Sequence, residues 1–285
     1  MTKKYELLPN VTKQHHGITL YTIKALRDFG DVKAGDTGGW VESEDNLSQY
    51  GKCWIYDDAI VYGKSRVCNN ATIHHKAEVH GSAKVSGNAS VYDKAIIGHH
   101  AHVYGNAQIY HEASVLVDSK VYGNAEVFGT SMVLGHARVY GNAVLTGSAR
   151  IFDNAHVYGN AIISDEATIL DNARVYRKAY ISDHARVLGN AKVRGKAKVK
   201  GYASISGDAI VESSNDFFVL KNHWSSGRYF TYTRSNKLFR VGCFLGTGDE
   251  LIVKAYKDSE LSGDCYKASV QYVQALEQAF QNNSR

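Results

Sequence analysis

Small and aliphatic residues alternate with polar ones at a fixed period through most of the chain. Starting at Cys53, a small residue recurs every six positions as far as Ala209, and Val, Ile or Leu follows two residues after nearly every one, giving 27 consecutive hexapeptides. Because side chains alternate across a strand, the small and aliphatic residues point inward and the intervening residues point outward. Three hexapeptides make one triangular coil, so the period predicts a mainly β protein, a β-solenoid of about nine coils and about 40 Å in length.

The first 46 residues do not follow this period. Residues 5–8 and 18–26 are typical of short strands, and the glycine-rich segment 35–39 is typical of a turn. An open end coil exposes unpaired strand edges. We therefore expect residues 1–46 to form a small N-terminal β cap on a solenoid that spans residues 47–212.

The period also stops after Ala209, and residues 213–285 are predicted to form a C-terminal α+β domain. Segments 217–220, 228–233 and 238–244 have the composition of strands, and helices are expected at 249–256 and 264–280. The second helix carries an apolar stripe at helical spacing. That stripe needs a partner, either the last coil or another subunit.

The most regular hexapeptides read small-x-aliphatic-y-Gly-Asn, as at 137–142. Gly and Asn tolerate the positive φ that a coil corner requires. The run VYGNA, repeated along the chain, resembles the hexapeptide-repeat, left-handed β-helix superfamily, which includes many acyltransferases and the γ-class carbonic anhydrases. The flanks GDTGGWVESEDNLS and RYFTYTRSNKLFRVGCFLGTGDELIVKAY resemble hexapeptide proteins of enteric bacteria and their phages. This resemblance implies a left-handed parallel β-helix and a homotrimer with parallel prism axes.

Folding the sequence on an 18-residue coil places a file of basic side chains on one face. The x positions of that face are Arg66, Lys84, His102, Lys120, Arg138, His156, Arg174 and Lys192, and its y positions include Tyr104, Tyr122, Tyr140, Tyr158 and Tyr176. Like charges about 5 Å apart repel by roughly 0.8 kcal/mol in water, which favours an anionic counterpart. Basic side chains beside aromatic ones are used to bind single-stranded nucleic acid and nucleotides. Alternatively, the long basic stems cover the sheet, or the file faces acids on another subunit.

A second face carries an apolar stripe at its y positions. Its members are Leu116, Leu134, Phe152, Leu170 and Leu188. Apolar stripes of this length are rarely left in water. We therefore expect it to be the subunit interface or the seat of the C-terminal helix.

Two corners carry polar residues in register. His100, Asp118 and His136 stack in consecutive coils, where imidazoles beside a carboxylate can bind a metal or act in acid–base chemistry. The competing interpretation is a charge-balanced ladder, since Asp57, His75, Asp93 and His111 alternate in the same way at another corner. No metal is therefore predicted. An asparagine file is expected to form an amide ladder, and it comprises Asn70, Asn88, Asn106, Asn124, Asn142 and Asn160.

Composition restricts the class of protein only mildly. The formal net charge is +5 over 285 residues, which leaves anionic partners open. No apolar run reaches the length of a membrane span and the N-terminus lacks the apolar core of a signal peptide, so no membrane association and a cytoplasmic location are expected. The four cysteines are scattered, which is typical of buried structural thiols.

These observations favour a non-enzymatic binding protein without a cofactor. In this hypothesis a trimeric solenoid presents its basic and tyrosine face to a nucleotide, nucleic acid or acidic protein, and the phage resemblance implies masking or sequestering of a host component. The alternative is an acyltransferase with acyl-CoA between subunits and His100 or His136 as general base. The uninterrupted repeat, from Cys53 to Ala209, ranks it second because the resembling enzymes insert loops to build their pockets. A structural spacer is the third hypothesis.

Overall fold

The computed structural model describes residues 3–282 and confirms the β-solenoid. Its coils contain 27 two-residue strands, β4–β30, which recur every six residues from Trp54–Ile55 to Ile210–Val211. Each strand pairs in parallel with the strands three before and three after it, so the chain forms three sheets of nine coil strands each. The nine predicted coils are therefore present. The left hand of the superhelix stays a prediction from the resemblance.

The inward residues form one continuous core along the solenoid. The alanines and aliphatic residues of the hexapeptides are fully buried in a single cluster. Backbone hydrogen bonds join successive coils, as from Arg138 N to Ala155 O at 2.9 Å and from Tyr140 N to Val157 O at 3.0 Å. Corner residues take positive φ, for example +75° at Gly141. The same backbone conformation occurs at corners that carry Asp, Asn or His, so the coil geometry, more than the glycine, sets the corner.

The N-terminal strands extend one of the three sheets. β1 (Tyr5–His15) and β2 (Ile18–Ala25) form an antiparallel hairpin, and β3 (Thr37–Val41) pairs antiparallel with β2 and in parallel with the Ile60–Val61 strand. Leu47 also forms a parallel bridge with Val67, so part of a tenth coil precedes the nine. The turn predicted at 35–39 is wrong beyond Asp36, because Gly38 and Gly39 lie in β3. A Cβ at either glycine would clash with atoms of the first coil, such as those of Ile55.

Four antiparallel strands and two helices follow the coils. The strands are β31 (Phe217–Lys221), β32 (Tyr229–Thr233), β33 (Leu238–Val241) and β34 (Phe244–Gly246), and the helices are α1 (Gly248–Asp258) and α2 (Glu260–Asn282). Both predicted helices are confirmed with longer bounds. The strand predicted at 238–244 is confirmed over Leu238–Val241, but its continuation to Phe244 is wrong, because a turn at Gly242 and Cys243 starts a hairpin with β34.

The apolar stripe of α2 packs on the C-terminal sheet. Tyr266, Val270 and Val273 are buried in one cluster with Phe230 and Phe239. The expectation that the last coil or another subunit covers this stripe is therefore wrong, because the antiparallel strands supply an apolar face of their own.

Among the helices of residues 3–282, none combines the length and the apolar composition that crossing a membrane requires. The four cysteines are free thiols, and they differ in exposure: Cys53 is buried and Cys243 is exposed. The expectation of four buried thiols is therefore wrong for Cys243.

Candidate functional site

The basic file lies on one flat sheet of the solenoid. We call this sheet, which runs from Arg66–Val67 to Ile210–Val211, the basic face. Its strands pair in register, so Lys120 lies directly beside Arg138, and Arg66 beside Lys84. The six Lys and Arg side chains of the file are exposed. These six residues are Arg66, Lys84, Lys120, Arg138, Arg174 and Lys192. Within the described part of the chain, none of them forms an ion pair or a side-chain hydrogen bond.

The tyrosine file of the basic face is a closed stack. Tyr104 and Tyr122 have ring centroids 4.7 Å apart and planes 4° apart. The stack continues through Tyr140 and Tyr158 to Tyr176 at centroid separations of 4.8–4.9 Å. These are already stacking distances, so no base fits between successive rings, and the file offers ring edges and hydroxyl groups to a ligand.

Two histidines interrupt the cations of the basic face. Burial lowers the pKa of His102, and Lys84 and Lys120 on either side lower it further. His102 Nε2 also lies 3.1 Å from Ser86 Oγ, within hydrogen-bond distance. Burial, with Arg138 and Arg174, likewise lowers the pKa of His156. Both imidazoles are therefore neutral at pH 7, and the file then carries six positive charges.

The basic face ends in a neutralised coil. Arg194, the y residue after Tyr176, donates to Glu212 Oε1 at 2.5 Å and to Tyr176 Oη at 3.3 Å. Its guanidinium is thus paired within the chain, unlike the cations of the file. The unpaired charge is confined to the stretch between Arg66 and Lys192.

The apolar stripe lies on the neighbouring sheet. Leu116, Leu134, Phe152 and Leu170 are half-buried, and Leu188 is buried. Because α2 packs on the C-terminal sheet, the interpretation of this stripe as the seat of that helix is wrong. The subunit interface stays a prediction.

The histidine corner is a loose ladder. His136 Nδ1 lies 3.8 Å from Asp118 Oδ2, beyond hydrogen-bond distance, and both His100 and His136 are exposed. The other corner forms the predicted ladder more tightly, with His75 Nδ1 3.0 Å from Asp93 Oδ1 and His75 N donating to Asp57 Oδ2 at 2.9 Å. Within residues 3–282, the residues grouped closely enough to share a metal ion are His15, His16 and Glu78 instead.

A cavity of about 440 Å³ opens where the last coils meet the C-terminal sheet. Three arginines line it, Arg186 from a coil and Arg228 and Arg240 from the C-terminal domain. No ion pair to these three arginines occurs among the described residues. The arrangement favours an anionic group, since a guanidinium presents several donors to phosphate or carboxylate oxygens.

The same cavity contains an oriented histidine. His184 lines it, stacks on Tyr202 at 4.8 Å, and places Nδ1 3.2 Å from Glu166 Oε2. Tyr202 in turn stacks on Tyr229 of the C-terminal sheet at 4.6 Å. A carboxylate beside one imidazole nitrogen orients the other for proton transfer.

Sequence reasoning missed this cavity. The 18-residue spacing of Glu166, His184 and Tyr202 was a usable signal, since it places the three in one corner file. Arg228 and Arg240 lie at the cavity because of how the C-terminal strands dock on the coils. These strands have no repeat, so the hexapeptide period does not predict their position.

No protein-family model matches the chain. A 57-residue segment is 46% identical to a protein of Escherichia coli strain K12 named "Uncharacterized acetyltransferase YdcK". The match covers 20% of this chain and 18% of the E. coli protein. The solenoid and this similarity fit a hexapeptide-repeat, acyltransferase-like superfamily.

Proposed function

We propose that this protein is a binding protein whose basic face takes a linear polyanion. The observation that carries the proposal is the set of six exposed Lys and Arg side chains, stacked in register without an acidic partner among the described residues. Stacked like charges repel, and an anion along the file removes that repulsion. The assembly that presents the face is proposed to be a homotrimer.

The tyrosine stack limits which groups of the protein can contact the polyanion. Because the rings already stack on one another, the ligand meets hydroxyl groups, guanidinium groups and ammonium groups, which recognise phosphate or carboxylate oxygens. Base stacking contributes only at the ends of the file. Binding of nucleic acid therefore depends on the backbone and tolerates sequence change.

The test is the affinity for a fluorescein-labelled single-stranded DNA, measured by anisotropy over a range of salt concentrations. With six phosphate contacts, log affinity falls with log salt with a slope of about 4 in magnitude. The variant Lys120→Glu/Arg138→Glu reverses two central charges and is expected to weaken binding at least about tenfold. A labelled polyglutamate distinguishes a nucleic acid partner from an acidic protein, because it lacks phosphates.

Lys198→Glu/Lys200→Glu is the matched control, because it reverses the same number of charges. Lys198 and Lys200 are exposed and lie at the x and y positions of one hexapeptide, on the sheet that carries neither the basic face nor the apolar stripe. This variant therefore changes the net charge equally without altering either face, and binding close to wild type is expected. Equal loss in Lys198→Glu/Lys200→Glu and in the basic-face variant, or binding that ignores salt, contradicts the proposal.

A second candidate function is acyl transfer from acyl-CoA. The name of the E. coli relative favours it, and the arginine-lined cavity suits the phosphates of a coenzyme A moiety. His100 and His136 do not line that cavity, whereas His184 does, with Glu166 to orient it. In this alternative His184 Nε2 accepts the proton of the attacking acceptor group, the acyl group passes to that acceptor, and the thiolate of coenzyme A leaves.

The alternative is tested by thiol release from acetyl-CoA in the presence of amine and alcohol acceptors. His184→Ala is expected to abolish turnover, and Arg228→Ala is expected to raise KM for acetyl-CoA. His136→Ala is the control at an exposed corner and keeps full activity. If His136→Ala abolishes turnover while His184→Ala does not, the original assignment to the corner histidines is the better one.

A further inference from the structure

The tip of the N-terminal hairpin presents two adjacent histidines to the solenoid. His15 ends β1, and His16 and Gly17 form the two-residue loop with φ of +48° and +79°. His15 pairs with Ile18 across the hairpin. Positive φ at both loop residues is the geometry of a tight type I′ turn, so the turn places the two histidines next to each other at the hairpin tip.

Glu78 meets these histidines from the Glu78–Val79 coil strand. One nitrogen from each imidazole and one oxygen of the Glu78 carboxylate lie within 4.8 Å of one another. His15 Nε2 is 3.7 Å from Glu78 Oε1, which is too long for a hydrogen bond. His15 Nε2 is also buried without a hydrogen-bond partner. A buried imidazole nitrogen left without a hydrogen-bond partner is unfavourable, so the position favours a ligand that pairs with it.

The surroundings orient the carboxylate. Tyr62 Oη donates a hydrogen bond to Glu78 Oε1 at 2.7 Å. The Tyr62 ring also packs on His15, with centroids 5.4 Å apart, and on His80 at 5.6 Å. Hydrogen bonds of this kind hold metal-ligating carboxylates in place.

We propose that His15, His16 and Glu78 form a Zn²⁺ site that clasps the hairpin to the solenoid. Two imidazoles and one carboxylate are a ligand set that zinc accepts, with water in the fourth position. At bond lengths of about 2.0–2.2 Å, tetrahedral ligands lie about 3.4 Å apart. The 3.7 Å separation of His15 Nε2 and Glu78 Oε1 needs to close by only a few tenths of an ångström.

The site differs from the histidine corner considered from sequence. Its ligands come from two parts of the chain that share no period, the hairpin tip and the second coil. Because the metal would join those parts, zinc binding is expected to stabilise the fold as well as to occupy the site.

The experiment is titration of the full chain with Zn²⁺ by isothermal titration calorimetry, after removal of bound metal with EDTA and with the thiols kept reduced. The wild type is expected to bind one Zn²⁺ per chain and to unfold at a higher temperature with zinc present. His16→Asn keeps a residue that tolerates positive φ and removes the imidazole. It is expected to weaken zinc binding at least about tenfold.

His111→Asn is the matched control. His111 is also exposed and also has positive φ, +57°, but lies at a corner outside the site. It is expected to bind zinc like the wild type. Glu78→Gln is a second variant that preserves side-chain shape and the capacity to accept from Tyr62, and it is expected to lose affinity as His16→Asn does.

The proposal is overturned if the wild type shows no saturable binding at one Zn²⁺ per chain. It is also overturned if His16→Asn and Glu78→Gln both bind like the wild type, which would assign the metal to other residues. A calorimetric signal with equal loss in His111→Asn and His16→Asn likewise contradicts the assignment.

Discussion

Single side chains at the coil corners hold neighbouring coils in register. In the asparagine ladder each amide donates to the next, as from Asn106 Nδ2 to Asn124 Oδ1 at 2.9 Å and from Asn124 Nδ2 to Asn142 Oδ1 at 2.9 Å. The ladder runs from Asn70 to Asn160, as predicted from the spacing. A residue inside the ladder therefore makes two such bonds, and the last residue makes one.

This difference gives a prediction for stability. Asn124→Ala removes two exposed side-chain hydrogen bonds and is expected to lower the free energy of unfolding by about 1–2 kcal/mol. Asn160→Ala, at the end of the ladder, removes one and is expected to have about half that effect. Urea unfolding monitored by circular dichroism measures both. Equal effects of the two substitutions would show that the amide ladder contributes nothing beyond corner propensity.

The histidines of the basic face predict a pH dependence of stability. Their pKa values are lowered in the folded protein, by burial first and then by Lys84 and Lys120 around His102 and by Arg138 and Arg174 around His156. Below about pH 6.5, the ordinary histidine pKa, the unfolded chain binds protons that the folded chain resists. The stability that the two neutral histidines contribute is therefore fully present above about pH 6.5. As the pH decreases below this value, the free energy of unfolding falls.

The test compares urea unfolding at pH 7.5 and pH 5.5. The variant His102→Gln/His156→Gln cannot titrate at these positions, so it is expected to lose less stability on acidification than the wild type. His74 and His80 also have lowered pKa values because of burial, so part of the dependence remains. An unchanged dependence in the variant would contradict the assignment to the basic face.

At the scale of elements, the C-terminal sheet covers the open edge of the last coils with side chains. Thr231 Oγ1 accepts from Ser204 N at 2.9 Å, and Ser235 Oγ accepts from Ile210 N at 2.8 Å. Asn236 Nδ2 donates to Ser206 O at 3.1 Å. The backbone N–H and C=O groups at this edge, which a further coil would otherwise bond, are thus bonded by side chains. This protects the sheet edge from pairing with another chain.

Thr231→Val tests this capping because it keeps the shape and removes the acceptor. Thr231 is fully buried, so the Ser204 N–H is left unpaired and a loss of about 1–3 kcal/mol in the free energy of unfolding is expected. Ser235→Ala is the matched control at an exposed position, where water replaces the hydroxyl and the expected loss is below about 1 kcal/mol. Thermal unfolding of the wild type and of both variants measures these losses. A loss in Ser235→Ala as large as in Thr231→Val would argue against the role of burial.

At the scale of the whole molecule, the three sheets have different surfaces and therefore different expected partners. The basic face carries unpaired cations at its x positions and tyrosines at its y positions, whereas the neighbouring sheet carries the apolar stripe at its y positions. Apolar surface of this kind favours association. The homotrimer implied by the resemblance is expected to use this apolar stripe.

The stripe is tested by Leu134→Glu/Leu170→Glu, which places charges in its centre. The wild type is expected to be a trimer and the variant a folded monomer, measured by size-exclusion chromatography with light scattering and by circular dichroism. Thr146→Glu is the control at the y position of the third sheet, where the trimer is expected to persist. A monomeric wild type, or a trimeric stripe variant, would contradict the interface.

The hexapeptide period determined the solenoid, the number of coils, the division into faces and the residues that stack at each corner, including the asparagine ladder. These features follow from sequence because each repeat pairs with the repeats 18 residues away, so side-chain alternation and spacing suffice to place them. The closed tyrosine stack also follows the period, but only ring distances show that bases cannot enter it.

The tertiary structure alone decided the contacts between the periodic body and its aperiodic ends. Arg228 and Arg240 join His184 around a cavity because the C-terminal strands dock beside the last coils, and His15 meets Glu78 because the hairpin tip reaches the second coil. Such contacts depend on the packing of segments that share no repeat. Local alternation fixes which way a side chain points, but it does not fix where one segment docks on another.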